Sequence, residues 1–321
     1  MSKSVYNQAT CGHIYLAMRT KGISTIGFHA IHRSVMGCLV FFLLVTVGLE
    51  ARYYAKPHWT IFSPEQEIEM GRANAVDVER TMPMVADPVL NKYISDLGDK
   101  LAAHAPGTKY PYKFFIVDQK EINAYAMPGG PIFINLGTLQ AMDHEEELAG
   151  VLAHEISHVV MRHSSNLVSK EMVLQFGASM LDNMLEKNGG LVSKMTRAGI
   201  NFGMNSVFMK FSRDMETEAD KVGCGIMYDA GYDPQGMVDV FHALEKAYGN
   251  SSAQFFLDHP NPGNRAVYIG REARSFRIKP YLGDSSEFRN IKILATRMKP
   301  LTTNEITAWQ KAHPAPKDDG K

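Results

Sequence analysis

Cysteine is scarce in this 321-residue chain, with three in all, and no pair has CxxC or zinc-ribbon spacing. That excludes a disulfide framework and a cysteine-built metal finger. A surplus of either charge is also missing, since 34 Lys and Arg balance 34 Asp and Glu. Nucleic-acid binding through a global positive field is thereby excluded, as is an acidic disordered tail. No apolar run reaches spanning length: the stretch from Val35 to Leu49 holds about 15 residues, where a membrane helix wants about 20. No repeat of fixed period is visible. What is present is ordinary globular composition, 45% hydrophobic and 21% charged, enough for one or two domains with a buried core.

The run from Val35 to Leu49 fits a signal-peptide core better than a span. Arg19, Lys21 and Arg33 form its positive flank, which keeps that end cytoplasmic. Thr46-Val47-Gly48 offers tolerated residues for cleavage, and a start at Met18 would give the leader an ordinary length. The expectation is a leader over residues 1–50 that is removed, releasing a periplasmic or secreted body in which Cys224 is the remaining cysteine. The alternative is an uncleaved short anchor that holds the body to the inner membrane, facing the periplasm, and gives it membrane contact.

Local signals divide the rest. Ser63-Pro64-Glu65-Gln66 is a capping box with Pro at the first helical position, predicting a helix to about Arg80. Asp87-Pro88 opens a second, with Leu90, Tyr93, Ile94, Leu97 and Leu101 at helical spacing. Lys113–Asp118 reads as a strand, and Ala124–Met127 and Pro131–Asn135 as strands around the turn Pro128-Gly129-Gly130. Asp143-His144-Glu145-Glu146 predicts a helix capped by Asp143 and running to about His163. Residues 166–210 read as a helical hairpin broken at Gly189-Gly190. Its Met172, Met180, Met184, Met195, Met204 and Met209 read as core packing, or as a greasy surface for membrane or unfolded chains. Helices follow over about 213–230 and 234–248. After Pro280 the signal fades, and the end from Pro314 to Lys321 reads as a frayed tail.

The informative string is His154-Glu155-Ile156-Ser157-His158. Positions four apart share a helix face, so His154 and His158 can reach one metal ion. Glu155 sits beside them as a base for water. A third ligand is needed. His163 is five residues past His158, about 140° around a continuous helix, and is expected to point away. Glu216 and Asp220 share a face of the later helix while Glu218 points elsewhere, which suggests Glu216 as ligand and Asp220 as the carboxylate that orients an imidazole. Either glutamate reads equally as a solvated helix face at this point.

HEISH at 154–158, E-x-x-x-D at 216–220, NAYAMPGG at 123–130 and HPNPGNR at 259–265 stand here in one order. Over roughly residues 60–275 the chain resembles the zinc metallopeptidase family that includes the CAAX prenyl protease, HtpX and the BepA-like periplasmic proteases. The resemblance implies a mainly helical α+β zincin-type domain over 51–278, with a small β-sheet beside the cleft, and an extension over 279–321. It implies one Zn2+ held by His154, His158 and Glu216, with Glu155 as catalytic base and Asp220 behind a ligand. It also implies that Asn123, Ala124, Gly129, Gly130, Pro131, Ile132 and Phe133 border the substrate. His259 is implied to approach the metal, as inhibitory fourth ligand or transition-state donor, and Arg265 to lie near the cleft. The several spanning helices of the CAAX protease and HtpX, and the helical repeats that follow the BepA-like protease domain, have no counterpart expected here. The expected activity is zinc-dependent hydrolysis of unfolded or misassembled envelope proteins, with polypeptide substrates and no nucleic acid. An extended substrate is expected to pair with the strand at Pro131–Asn135. The alternative is a self-blocked binder that holds envelope proteins without cutting them.

Overall fold

The computed structural model describes residues 53, 56–176, 210–248, 259 and 264–314. The leader expected over residues 1–50, most of the methionine-rich stretch and the tail from residue 315 lie outside the described residues. Among the described residues no helix is long and apolar enough to cross a membrane.

Helix α1 (Pro64–Thr81) starts at the expected capping box: Ser63 Oγ accepts from the Gln66 N–H at 3.3 Å, and Gln66 Oε1 accepts from the Ser63 N–H at 2.8 Å. Asp87 caps α2 (Pro88–Ala102) by accepting from Val89 and Leu90 N–H. Leu90, Ile94, Leu97 and Leu101 of α2 are buried, as their spacing requires.

Three strands follow, β1 (Lys113–Val117), β2 (Ala124–Ala126) and β3 (Pro131–Asn135), in spatial order β1-β3-β2. β3 pairs parallel with β1 and antiparallel with β2. Phe115, Phe133 and Tyr125 are in register across the three strands, their rings stacked with centroids 4.7 and 5.2 Å apart. This face packs with Ala75 and Val78 of α1. Ile132 and Ile134 point the other way, into the main core.

Gly71 lets α1 approach the turn before β3, because a Cβ there would stand 1.9 Å from the Pro128 carbonyl oxygen. Gly129 has φ +75°, and a Cβ there would stand 2.4 Å from the Glu67 carbonyl oxygen. Gly71→Ala must push helix and turn apart. A stability loss of about 1–3 kcal/mol is expected, and urea unfolding measures it.

A short α3 (Leu136–Ala141) leads into α4 (Glu145–Val160), the buried axis of the domain, which packs against α2, β2 and two later helices. Its cap differs from expectation. Glu147, not Glu146, accepts from the His144 N–H at 3.1 Å, and Asp284 Oδ1 takes the Glu145 N–H at 2.9 Å. Asp143 instead lies 3.4 Å from Lys292 Nζ and 3.6 Å from Lys246 Nζ. The helix also ends sooner. Arg162 adopts φ +59°, held by its guanidinium donating to Glu67 Oε1 at 2.9 Å and to the Phe62 carbonyl at 2.6 Å. A new helix, α5 (His163–Phe176), begins there. Met172 on it is buried.

α6 (Arg213–Ala230) opens on Ser212, whose Oγ accepts from the Met215 N–H, and closes on Gly231 at φ +95°. α7 (Gln235–Tyr248) and α8 (Arg265–Ala273) pack on each other. The stretch after Pro280 holds two helices the sequence signal did not predict, α9 (Ser286–Arg297) and α10 (Thr303–Ala312). Phe288, Ile291 and Ala295 of α9 join the main core. Thr302 and Glu305 form a capping box at α10.

Candidate metal centre

α4 presents His154 and His158 one turn apart on the face turned toward α6, which supplies Glu216 and Asp220. The Nε2 atoms of the two imidazoles are 3.0 Å apart. Glu216 Oε2 lies 3.5 Å from His154 Nε2, and Oε1 lies 3.5 Å from His158 Nε2. His259 brings Nδ1 to 3.3 Å from His154 Nε2 and 3.2 Å from Glu216 Oε1. All four residues are buried. Donors bound at about 2.0–2.1 Å to a tetrahedral ion stand about 3.3–3.4 Å from one another, so these separations fit a metal ion at their centre.

The protons point the same way. His154 Nδ1 lies 2.9 Å from Asp220 Oδ1, and His158 Nδ1 lies 3.0 Å from His163 Nδ1. With the N–H of each ring directed there, both Nε2 lone pairs face each other, an arrangement a shared cation favours. Charge agrees. Three buried carboxyls, those of Glu155, Glu216 and Asp220, surround one guanidinium, Arg265, so with all ionised a divalent ion balances the excess.

Arg265 comes from the first turn of α8 and is buried. It grips Asp220 through Nε at 2.9 Å and Nη2 at 2.7 Å, reaches Glu216 Oε2 through Nη1 at 3.0 Å, and lies 4.6 Å over the Phe241 ring. Tyr268 OH also donates to Asp220. Burial alone would raise the Glu216 carboxyl, but His259, Arg265 and His154 outweigh it and hold it well below the usual range. Asp220 is held down by Arg265 and His154 against the same burial effect. Burial would lower His154, yet Asp220 and Glu216 push it up to about 9. A cation at Nε2 takes the place of the proton those carboxylates attract. His158, with burial the first cause and cationic His154 the second, is pushed well below its usual value.

Glu155 is fully buried, and among the described residues no hydrogen-bond donor reaches either carboxyl oxygen. His259 Nε2 lies 3.6 Å from its Oε1. Burial raises its affinity for a proton, the property of a base placed to take one from water.

The structure thus brings together His154, Glu155, His158, Glu216, Asp220, His259 and Arg265. It separates the strand residues. β3 is central, with β1 and β2 on its two sides, so Pro131, Ile132 and Phe133 have no open ladder edge for a substrate. They are core. Gly129 and Gly130 pack toward Glu67 and Pro111. Asn123 turns inward, its N–H donating to Thr138 Oγ1 and its carbonyl accepting from the Asn135 N–H. Only Ala124 of that group borders the metal centre: its carbonyl oxygen lies 3.3 Å from His259 Nε2. His163 differs too. Because α4 breaks at Arg162, it is buried beside His158 rather than turned away. Phe211, whose ring centroid is 4.0 Å from that of His158, and His58 carried no sequence signal.

Similarities to known proteins join this geometry. The model of peptidase family M48 matches residues 88–273, which contain every side chain of the centre. The beta-barrel assembly-enhancing protease of Escherichia coli strain K12 is 31% identical over 263 residues, 77% of this chain and 53% of that protein. Metalloprotease YcaL of the same strain is 27% identical over 179 residues, 56% of this chain and 68% of that protein. Mitochondrial metalloendopeptidase OMA1 of Schizosaccharomyces pombe is 29% identical over 194 residues, 60% of this chain and 56% of that protein. The chain spans about half the length of the assembly-enhancing proteases it matches. With the family model covering most of the folded body and the donors gathered at one point, the chain belongs to peptidase family M48.

Proposed function

We propose that this chain is a zinc-dependent metalloendopeptidase acting on unfolded or misassembled cell-envelope proteins, with His154, His158 and Glu216 as zinc ligands. The observation that carries the reading is the set of buried donors 3.0–3.5 Å apart beside the carboxyl of Glu155. Zinc supplies Lewis-acid polarisation of a scissile carbonyl and acidifies water. Glu155 accepts the water proton on a carboxyl oxygen and returns it to the leaving amine. Asp220 and Arg265 keep His154 and Glu216 in place.

β2 is the strand that can take a peptide. Asn123 O and Met127 N bond inward to β3, so by alternation the N–H and C=O groups of Ala124 and Ala126 face outward. An extended chain pairing there needs no particular side chains, which suits unfolded substrates. The similarity to a beta-barrel assembly-enhancing protease supports an envelope setting, and the apolar run Val35–Leu49 behind Arg19, Lys21 and Arg33, read as a leader or a short anchor, fits a periplasmic one.

His259 holds both places a substrate needs. Its Nε2 lies 3.3 Å from the Ala124 carbonyl oxygen, and with the ring proton donated there the Nδ1 lone pair is left toward the metal donors. We read this as a self-blocked resting state. His259→Ala is expected to raise casein degradation while zinc stays bound through the other three ligands. A fall in degradation would make His259 a transition-state donor instead. The blocked geometry also favours a second reading, a non-cleaving binder of envelope proteins. That reading prevails if envelope quality control survives Glu155→Gln intact.

Elemental analysis together with casein degradation, before and after chelation, tests the main reading. One zinc per chain and loss of cleavage on chelation are expected. Cleavage by metal-free protein would overturn it.

A further inference from the structure

His163 belongs to none of the motifs that pointed to the metal, yet it is fully buried. Its Nδ1 stands 3.0 Å from Nδ1 of His158, and its Nε2 stands 3.2 Å from Oε2 of Glu218. The same oxygen is 2.6 Å from Nε2 of His58. His58, His163 and Glu218 also form a group whose ligand atoms lie within 4.8 Å of one another, so by distance alone they resemble a second metal site.

Proton counting separates the two possibilities. A neutral imidazole has one N–H and one lone pair. If His158 turns its Nε2 lone pair to zinc, its proton is on Nδ1. That N–H faces Nδ1 of His163, which must then be bare. The proton of His163 is therefore on Nε2, where it donates to Glu218. A nitrogen that carries a proton is not a ligand, so zinc at His158 removes His163 from any second donor set. What remains there, His58 and Glu218, is one imidazole and one partly exposed carboxylate.

We propose that His163 and Glu218 are positioning residues for the zinc ligand His158, forming a hydrogen-bonded chain from His158 Nδ1 through the His163 ring to the Glu218 carboxylate. The proposal rests on the zinc reading above. It gives His158 what His154 obtains directly from Asp220 at 2.9 Å: a fixed ring orientation, a fixed tautomer and a more basic ligand nitrogen. The break in the chain at Arg162 is what makes it possible, because His163 on a continuous α4 would turn away from His158. His58 anchors the outer end. It sits on the segment before α1, which is tied down by the His58 N–H donating to the Met161 carbonyl at 2.9 Å and the Ile61 N–H donating to Ser169 Oγ at 3.1 Å. The orientation of a metal ligand is thereby linked to a segment far earlier in the chain.

The test is the zinc dissociation constant of the full chain, measured by competition with a chromophoric chelator, with the melting temperature of the metal-free protein as a folding control. Wild type is expected to bind one zinc. His163→Phe should weaken binding by about 10–100-fold. His163→Asn keeps an amide oxygen near the place of Nδ1, so it should recover most of the affinity; equal weakening by Phe and Asn overturns the proposal. Glu218→Ala should weaken zinc less than His163→Phe, and its effect should vanish in the His163→Phe background, because Glu218 acts through that ring. An effect that persists undiminished in the double variant overturns the chain. Unchanged zinc affinity in folded His163→Phe does so as well. Should His163→Phe fail to fold, unchanged affinity in Glu218→Ala decides against the proposal. Two zinc ions in wild type, with one lost in His58→Ala, would make the cluster a second metal site instead. No zinc in wild type would overturn the functional reading itself, a different failure from that of the chain.

Discussion

Glu155→Gln is expected to lower kcat/KM on an unfolded protein substrate by on the order of 100- to 10,000-fold, with zinc content unchanged. Glutamine keeps the size and shape of the side chain, so packing around the buried position is preserved. What it loses is the ability to take a proton from water and pass it on. Glu155 is suited to that transfer because burial raises its proton affinity and neither oxygen is committed to a hydrogen bond among the described residues. It does not belong to the group of donors that faces the metal position, so zinc content separates loss of chemistry from loss of metal. Wild-type rates in the glutamine variant would remove Glu155 from the mechanism.

Arg265→Met is expected to destabilise the fold by about 3–5 kcal/mol. Methionine fills much of the same space but leaves two buried carboxylates without their shared cation. Arg265 bridges Asp220 at 2.7 and 2.9 Å and Glu216 at 3.0 Å, and both acids are fully buried. Removing one partner of such a set costs more than the set itself contributes. Arg265→Lys should recover only part of the loss, because an ammonium cannot reproduce the forked contacts. Zinc should offset part of the loss by neutralising Glu216, so the difference between variant and wild type narrows with metal bound. Denaturant unfolding with and without zinc measures both effects. An unchanged midpoint in the metal-free protein would show that the guanidinium does not hold the centre together.

Much of this centre could be read along the chain. A helix joins residues within four positions of each other, so the spacing of His154 and His158, the pairing of Glu216 with Asp220 and the caps at Ser63 and Asp87 were legible directly. The two terminal helices were legible in part. Thr302 and Glu305 carry a capping-box signature, and Phe288, Ile291 and Ala295 stand at helical spacing in α9, while in α10 Ile306 is the one buried residue. The cap of α4 was not legible as it stands, because Asp284 reaches it from well over a hundred residues away. Strand order escaped for a similar reason. Pro131–Asn135 is a strand as its composition suggests, but composition does not say which strand lies at the edge. The fate of His163 turned on one backbone angle at Arg162, which is set by side-chain bonds to Glu67 and Phe62.

By itself, the order of residues determined that two imidazoles and a carboxyl ride one helix and that two acids ride another, since these are relations within a few positions. Only the tertiary structure decided that the helices cross with those faces opposed, that His259 joins the buried donors, that β2 rather than β3 lies at a side of the sheet, and that His163 stands behind His158. Each of these depends on which surfaces bury each other, and that is settled by packing among segments far apart in the chain.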